Sequence, residues 1–249
     1  MKGLGATLLI LAVALAPTAA AQKIRSAEQG SVPLALDPFT HERATVTVKP
    51  GDTAWTEAVR PTKVVRLLDA APPRVRPGGI DGVPAGALLF GYRLSTGFAY
   101  CPEIDTARMS TRVQCFRDLD DDGTFDGGYV TNDTAADSRY FSSFLQGLVA
   151  VPKRRYEPAA GADLPAAPVR VVYAGMKKGA PRFNLFVDKA RMDNTLECVV
   201  QQPGVCDVLG VRIAFAAAAD PKGAIILAFE GAAQNRIFDV LDPINHLQR

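Results

Sequence analysis

The commonest hydrophobic period along this chain is two. In "ATVTV" (Ala44 to Val48), Val46 and Val48 fall on one side and Thr45 and Thr47 on the other. "RFNLFV" sets Phe183, Leu185 and Val187 against Asn184 and Phe186, and "VRIAF" sets Val211, Ile213 and Phe215 against Arg212 and Ala214. Alternation of this kind predicts half-buried strands. The continuous run "AIILAF" (Ala224 to Phe229) predicts a strand covered on both faces. Further strands are expected over 63–68, 87–94, 98–101, 112–116 and 169–174. Helical spacing is rare. Asp137 to Val149 offers one instance, with Tyr140, Phe141, Phe144, Leu145 and Leu148 on one side and Asp137 as a cap, although the same residues also fit a strand and a turn. The pattern predicts an all-β, mostly antiparallel, sandwich-like protein in one or two domains, with at most one or two short helices.

Pro- and Gly-rich stretches divide this pattern. "AAPPRVRPGGIDGVPAG" (Ala70 to Gly86) reads as a linker, and "VPKRRYEPAAGADLPAAP" (Val151 to Pro168) as the better boundary. The expected organisation is a β-rich domain over 22–152, a linker over 153–168, and a second domain or a continuation of the first over 169–249. Lys153, Arg154 and Arg155 read as a solvated basic run within that linker. Asp220, Pro221, Lys222 and Gly223 mark a turn between the last two patterned strands.

The N-terminus adds a destination. Lys2 precedes an apolar stretch, Leu4 to Ala16, too short to span a bilayer, and small residues Ala19 to Ala21 follow. This predicts a bacterial-type signal peptide over 1–21, cut before Gln22, and a secreted or periplasmic product without stable membrane insertion afterwards. The formal charge of +2 loses one Lys with the leader. Such a balance gives no reason to expect nucleic acid as a partner.

Export changes the reading of the 4 cysteines. They form two close couples, and local pairing predicts Cys101–Cys115 and Cys198–Cys206 disulfides. Zinc would require tighter spacing or neighbouring histidines, and the only histidines are His41 and His246. Both are expected at the solvated surface. Trp55, the sole tryptophan, is expected to pack in the core or under a turn. None of the GxSxG, GxGxxG, phosphate-loop or HExxH patterns occurs.

What remains is "DLDDDGTFD" (Asp118 to Asp126), five carboxylates in a short loop. Asp118, Asp120 and Asp122 alternate, Gly123 permits a tight turn, Thr124 offers its carbonyl, and Asp126 follows. Alternating oxygen donors on a curling backbone suit a hard cation of the Ca²⁺ type. Asp121 is left pointing to solvent, and Phe125 is placed to dock into the body. The stretch resembles the DxDxDG calcium loops of EF-hands, dockerins and thrombospondin type 3 repeats. That resemblance implies a structural Ca²⁺ held by Asp118, Asp120, Asp122, Thr124 and Asp126. It departs at Tyr129, where an EF-hand carries a bidentate Glu, and in being entered by a strand. The last ligand is then expected from elsewhere, with Asp133 and Asp137 nearest. The expected role is binding or scaffolding of a protein or glycan partner in the envelope or outside. The alternatives are a calcium-stabilised secreted hydrolase, with glycans as one candidate substrate class, and a subunit of a surface or envelope assembly.

Overall fold

The computed structural model describes residues 30–73, 80–104, 112–132, 139–140, 143–218 and 223–241. The expected signal peptide, Asp133, Asp137 and His246 lie outside them. The described chain is all-β and antiparallel, with one short 3₁₀ turn at Gly161–Asp163. Its strands are β1 (Ser31–Leu36), β2 (Thr45–Val48), β3 (Thr53–Pro61), β4 (Val64–Leu67), β5 (Leu88–Leu94), β6 (Gly97–Pro102), β7 (Gln114–Arg117), β8 (Thr124–Asn132) and β9 (Ser143–Ala159). The series continues with β10 (Ala167–Lys177), β11 (Ala180–Val187), β12 (Ala190–Glu197), β13 (Val199–Gln202), β14 (Val205–Val208), β15 (Val211–Ala217), β16 (Ile225–Ala232) and β17 (Ile237–Leu241).

Two architectures share one large sheet. At one end, β12-β11-β10-β3-β1, with β17 beside β1, faces a second sheet ordered β13-β14-β15-β16-β2. This is the sandwich. Period-two alternation builds it: along β11 every second residue is buried, Phe183, Leu185 and Val187 among them. Trp55 on β3 lies in the seam, its ring centroid 5.4 Å from Phe183 and 5.5 Å from Phe229 of the facing sheet, both edge-to-face. Three aromatic rings thus meet edge-to-face where the two sheets cross, a geometry that favours their packing. In β16, Ile226 is 37% exposed between the buried Ile225 and Leu227. That strand is therefore covered on one face only, not both as its apolar run predicted.

At the other end the sheet closes on itself. β5 pairs with β4, β4 with β9, β9 with β8, β8 with β7, β7 with β6, and β6 again with β5. The result is a small six-stranded barrel, which leaves these strands no open edge. Its interior holds Val65, Leu67, Leu89, Phe116 and Phe125, with Tyr100 and Tyr156 packed against them. The alternate residues Val64, Phe90, Cys101 and Cys115, and Tyr129 beyond a register shift in β8, point outward into the main core. Alternation thus serves two cores at once.

Three expectations need correction here. The described part of the candidate helix, from Ser143 onward, is the start of the 17-residue β9. Gly147 at φ +60° and register shifts against β8 bend this strand, so its apolar residues are not evenly alternate. Lys153 to Ala159 is not linker but the second half of β9, paired with β8 and then β4. Within the Pro- and Gly-rich stretch 70–86, Ala71 and Val83 bridge each other and are buried in the barrel cluster. Gln114 Nε2 donates to the carbonyls of Pro72 (3.0 Å) and Asp81 (3.3 Å), fixing that stretch across the barrel wall. From residue 167 onward the chain adds β10 to β3, β16 to β2 and β17 to β1.

Both disulfides are present, Cys101–Cys115 and Cys198–Cys206. The first joins β6 to β7 beside Tyr100↔Phe116, the one registered pair of that seam. The second staples β14 to the start of the exposed β13. Two such bonds favour an oxidising compartment. Among the described residues no helix is long and apolar enough to cross a membrane.

Candidate metal centre

The acidic loop joins β7 to β8 at the barrel rim. Its backbone turns through Asp121 at φ +57° and Gly123 at φ +83°. Gly accepts this conformation without cost, and Asp is among the few other residues that tolerate it. Phe125, the first inward residue of β8, is fully buried and stacks on Tyr156 with centroids 4.2 Å apart. This is the docking that its place in the loop predicted.

Three of the five residues expected as ligands come together. Asp118, Asp120 and Asp126 each bring a carboxylate oxygen within 4.8 Å of the others'. Oxygens around Ca²⁺ stand about 2.3–2.6 Å from it, so donors on opposite sides are about 5 Å apart. The spacing and the hard oxygen chemistry fit that ion. Asp122 lies outside the triad. Its Oδ1 accepts from Thr124 N at 2.8 Å and from the Thr124 hydroxyl, and its other oxygen accepts from Lys153 Nζ. Lys153 also stands 3.7 Å from Asp120. Lys153 foremost, and Thr124 next, hold the Asp122 carboxyl down at about 2, while Asp122 in turn raises the Lys153 ammonium.

The triad has other work. Asp118 Oδ1 accepts from Asp122 N (3.2 Å), and its Oδ2 from Gly123 N (2.9 Å) and Tyr156 Oη (2.9 Å). Asp126 Oδ1 accepts from Leu119 N at 3.0 Å. Turn amides and one phenol therefore share the charge that crowding concentrates. Tyr100, beneath the same loop, is pushed up by burial and then by Asp118 and Asp121.

Lys153 and Tyr156 are the members that sequence reasoning missed. The basic run of β9 is not merely solvated: Lys153 faces the acidic loop, and Arg155 grips Asp69 through Nη2 (2.8 Å) and Nε (3.1 Å). The signal was the alternation of Lys153, Arg155 and Glu157 with Arg154 and Tyr156, which the neighbouring prolines obscured. His41 is half-buried against Phe39 and Phe229, its Nε2 3.0 Å from the Thr56 carbonyl oxygen. No family model, curated protein or solved structure matches the chain.

Proposed function

We propose that this is an exported binding or scaffolding protein whose β7–β8 loop takes up Ca²⁺ as a structural ion. One observation carries the metal reading: the convergence of Asp118, Asp120 and Asp126 within 4.8 Å on a loop with an apolar anchor. In this reading Asp118, Asp120 and Asp126 are the first ligands. Asp122 and the Thr124 carbonyl complete the set once Lys153 gives way. The ion neutralises the crowded carboxylates and fixes the rim of the barrel, and supplies no reaction chemistry. Two disulfides and a signal-type N-terminus support work outside the reducing cytoplasm. Calcium at extracellular concentrations suits the modest affinity expected of a loop lacking a bidentate Glu.

The test is a thermal melt of the purified protein in Ca²⁺ up to about 10 mM, above the range of most extracellular sites. Calcium raises the melting temperature because it binds only the folded loop. Mg²⁺ does so less, since it demands strict octahedral geometry and sheds water reluctantly. Asp120→Ala abolishes the rise and Asp121→Ala keeps it. A wild-type melt indifferent to Ca²⁺ leaves a hydrogen-bonded acidic turn and removes the metal from the proposal.

A further inference from the structure

Seven of the described arginines are paired with acids. Arg60 pairs with Asp37, Arg66 with Glu157, Arg93 with Asp239, Arg139 with Glu103, Arg155 with Asp69, Arg212 with Glu230 and Arg236 with Glu57. On the outer face of β10, β11 and β12 the arginines are held in another way. Cross-strand register sets Thr56, Arg170, Phe186 and Arg191 in one row over β3, β10, β11 and β12. Val169, Val171, Val187 and Met192, their chain neighbours, fill the core, so the row faces away from it.

Neutral groups hold these arginines. The Arg170 guanidinium lies 5.0 Å from the Phe186 ring centroid. Arg191 Nη2 donates to Asn184 Oδ1 at 3.1 Å. Both arginines are exposed, and among the described side chains neither is paired with a carboxylate. Arg182 shares their side of β11, and its Nε has no hydrogen-bond partner. Glu197, across from it, is engaged by Lys177 at 3.0 Å.

A guanidinium anchored on a ring or an amide is already ordered, so less freedom is lost when it takes a further partner. Its remaining N–H groups suit a carboxylate or sulfate in bidentate fashion. Arg170 and Arg191 stand two strands apart, about 10 Å. One small oxyanion does not reach both. A ligand that engages the row carries acidic groups repeated on that scale and lies flat on a sheet. Extended acidic sugars meet both conditions, and the flank of Phe186 offers an apolar contact to their C–H faces. We propose that this face binds an acidic polysaccharide, with successive carboxylates or sulfates seated on Arg170 and Arg191. The proposal rests on the binding role argued above but not on its calcium loop, which lies in the barrel half of the sheet.

The experiment is calorimetric titration of the disulfide-bonded protein at about 100 mM salt with EDTA present, so that long-range charge effects are screened. The probes are polygalacturonate, heparin, neutral dextran, double-stranded DNA and anionic phospholipid vesicles. At least one of the two acidic polysaccharides binds, and dextran does not. Arg170→Ala with Arg191→Ala weakens binding by about tenfold or more, as expected for losing two charge-assisted contacts. Arg170→Lys with Arg191→Lys falls nearly as far, because lysine lacks the fork. Arg212→Ala, which removes one positive charge from the facing sheet, leaves affinity unchanged, whereas Arg170→Ala alone, the same change of charge, weakens it. Melting curves of the variants verify that the fold is intact. Failure of both acidic polysaccharides to bind overturns the proposal, as does equal binding by DNA or vesicles, or an equal loss in Arg212→Ala. The calcium reading is unaffected by any of these, since EDTA removes its ion and its readout is the melt.

Discussion

Tyr156 Oη donates a 2.9 Å hydrogen bond to Asp118 Oδ2 while its ring stacks on Phe125 inside the barrel. One side chain thus couples the acidic rim to the apolar interior. Tyr156→Phe keeps the ring and loses only the bond. It is expected to lower stability by about 1.5–3 kcal/mol in urea titration, the range for a hydrogen bond to a charged group. Burial first, and the Asp118 carboxylate next, raise the phenol above its ordinary 10.0. The fold therefore favours the neutral phenol. That contribution is complete below pH 10 and declines as pH rises through the higher folded value. Tyr156→Phe is expected to flatten this alkaline loss. An unchanged alkaline limb assigns the sensitivity to another group.

The two disulfides are not equivalent. Cys101–Cys115 reinforces β6–β7, whose described register contains a single pair, and both sulfurs are fully buried. Cys198–Cys206 ties down β13, every residue of which is exposed. Loop closure alone gives roughly 3 kcal/mol for the first and a little less for the second. The context separates them further. Cys101→Ala with Cys115→Ala is expected to cost more in equilibrium unfolding than Cys198→Ala with Cys206→Ala, because it also opens the barrel seam. An equal or reversed cost would show that β6–β7 is held by its side chains alone.

The strands easiest to read were those with one covered face. β11 alternates without interruption, so its buried and exposed residues follow directly from period two. β9 hid itself because bulges and Gly147 displace its apolar residues from strict alternation, leaving a spacing that also fits a helix. Barrel closure was invisible for another reason. It depends on β4 meeting β9, some ninety residues later, as in Leu67↔Tyr156, and no local pattern encodes such a pairing. The loop was legible as a unit since Asp118 to Asp126 are contiguous. Its counter-ion was not, because Lys153 comes from β9 and was grouped with the prolines around it.

A second internal ion pair is of the opposite kind from the rim. Arg236 and Glu57 are almost wholly buried, at 5% and 3% exposure. Glu57 also accepts from Trp55 Nε1 at 3.0 Å, and Arg236 Nη2 donates to the Asp37 carbonyl at 3.0 Å beneath the ring of Phe39. Removing one partner leaves a charge without water or counter-charge. Arg236→Met is expected to cost about 3–5 kcal/mol, and Glu57→Gln a similar amount. The double variant is expected to be milder than the sum, since no lone buried charge remains. Additive losses in a double-mutant cycle by urea unfolding would contradict the coupling.

Acid reveals the exposed bridges instead. Arg155 holds Asp69, and Lys153 holds Asp122, each down to about 2 from 3.8. A depressed carboxyl contributes stability above its unfolded value, and that contribution is lost as pH falls from 3.8 through about 2. Asp69→Asn and Asp122→Asn are expected to melt like wild type in that acid limit and below it at neutral pH. Salt narrows the neutral difference because both pairs face solvent. A neutral difference indifferent to salt would point to the hydrogen bonds rather than the charges.

Lys153 gives the sharpest test of the loop. Its ammonium contacts Asp122 and stands 3.7 Å from Asp120, so it sits where an added cation gains most. Calcium and Lys153 then compete for the same oxygens. Lys153→Gln removes the competitor and releases Asp122. Without calcium it is expected to melt below wild type, because the carboxylates repel one another unrelieved. With calcium the order narrows or reverses, and titration is expected to show several-fold tighter Ca²⁺ binding, since a positive charge at this distance opposes the ion even in high dielectric. Asp120→Ala in the same background abolishes the gain. If Lys153→Gln lowers the melting temperature and neither protein responds to calcium, Lys153 is the loop's own cation, and the five aspartates need no other.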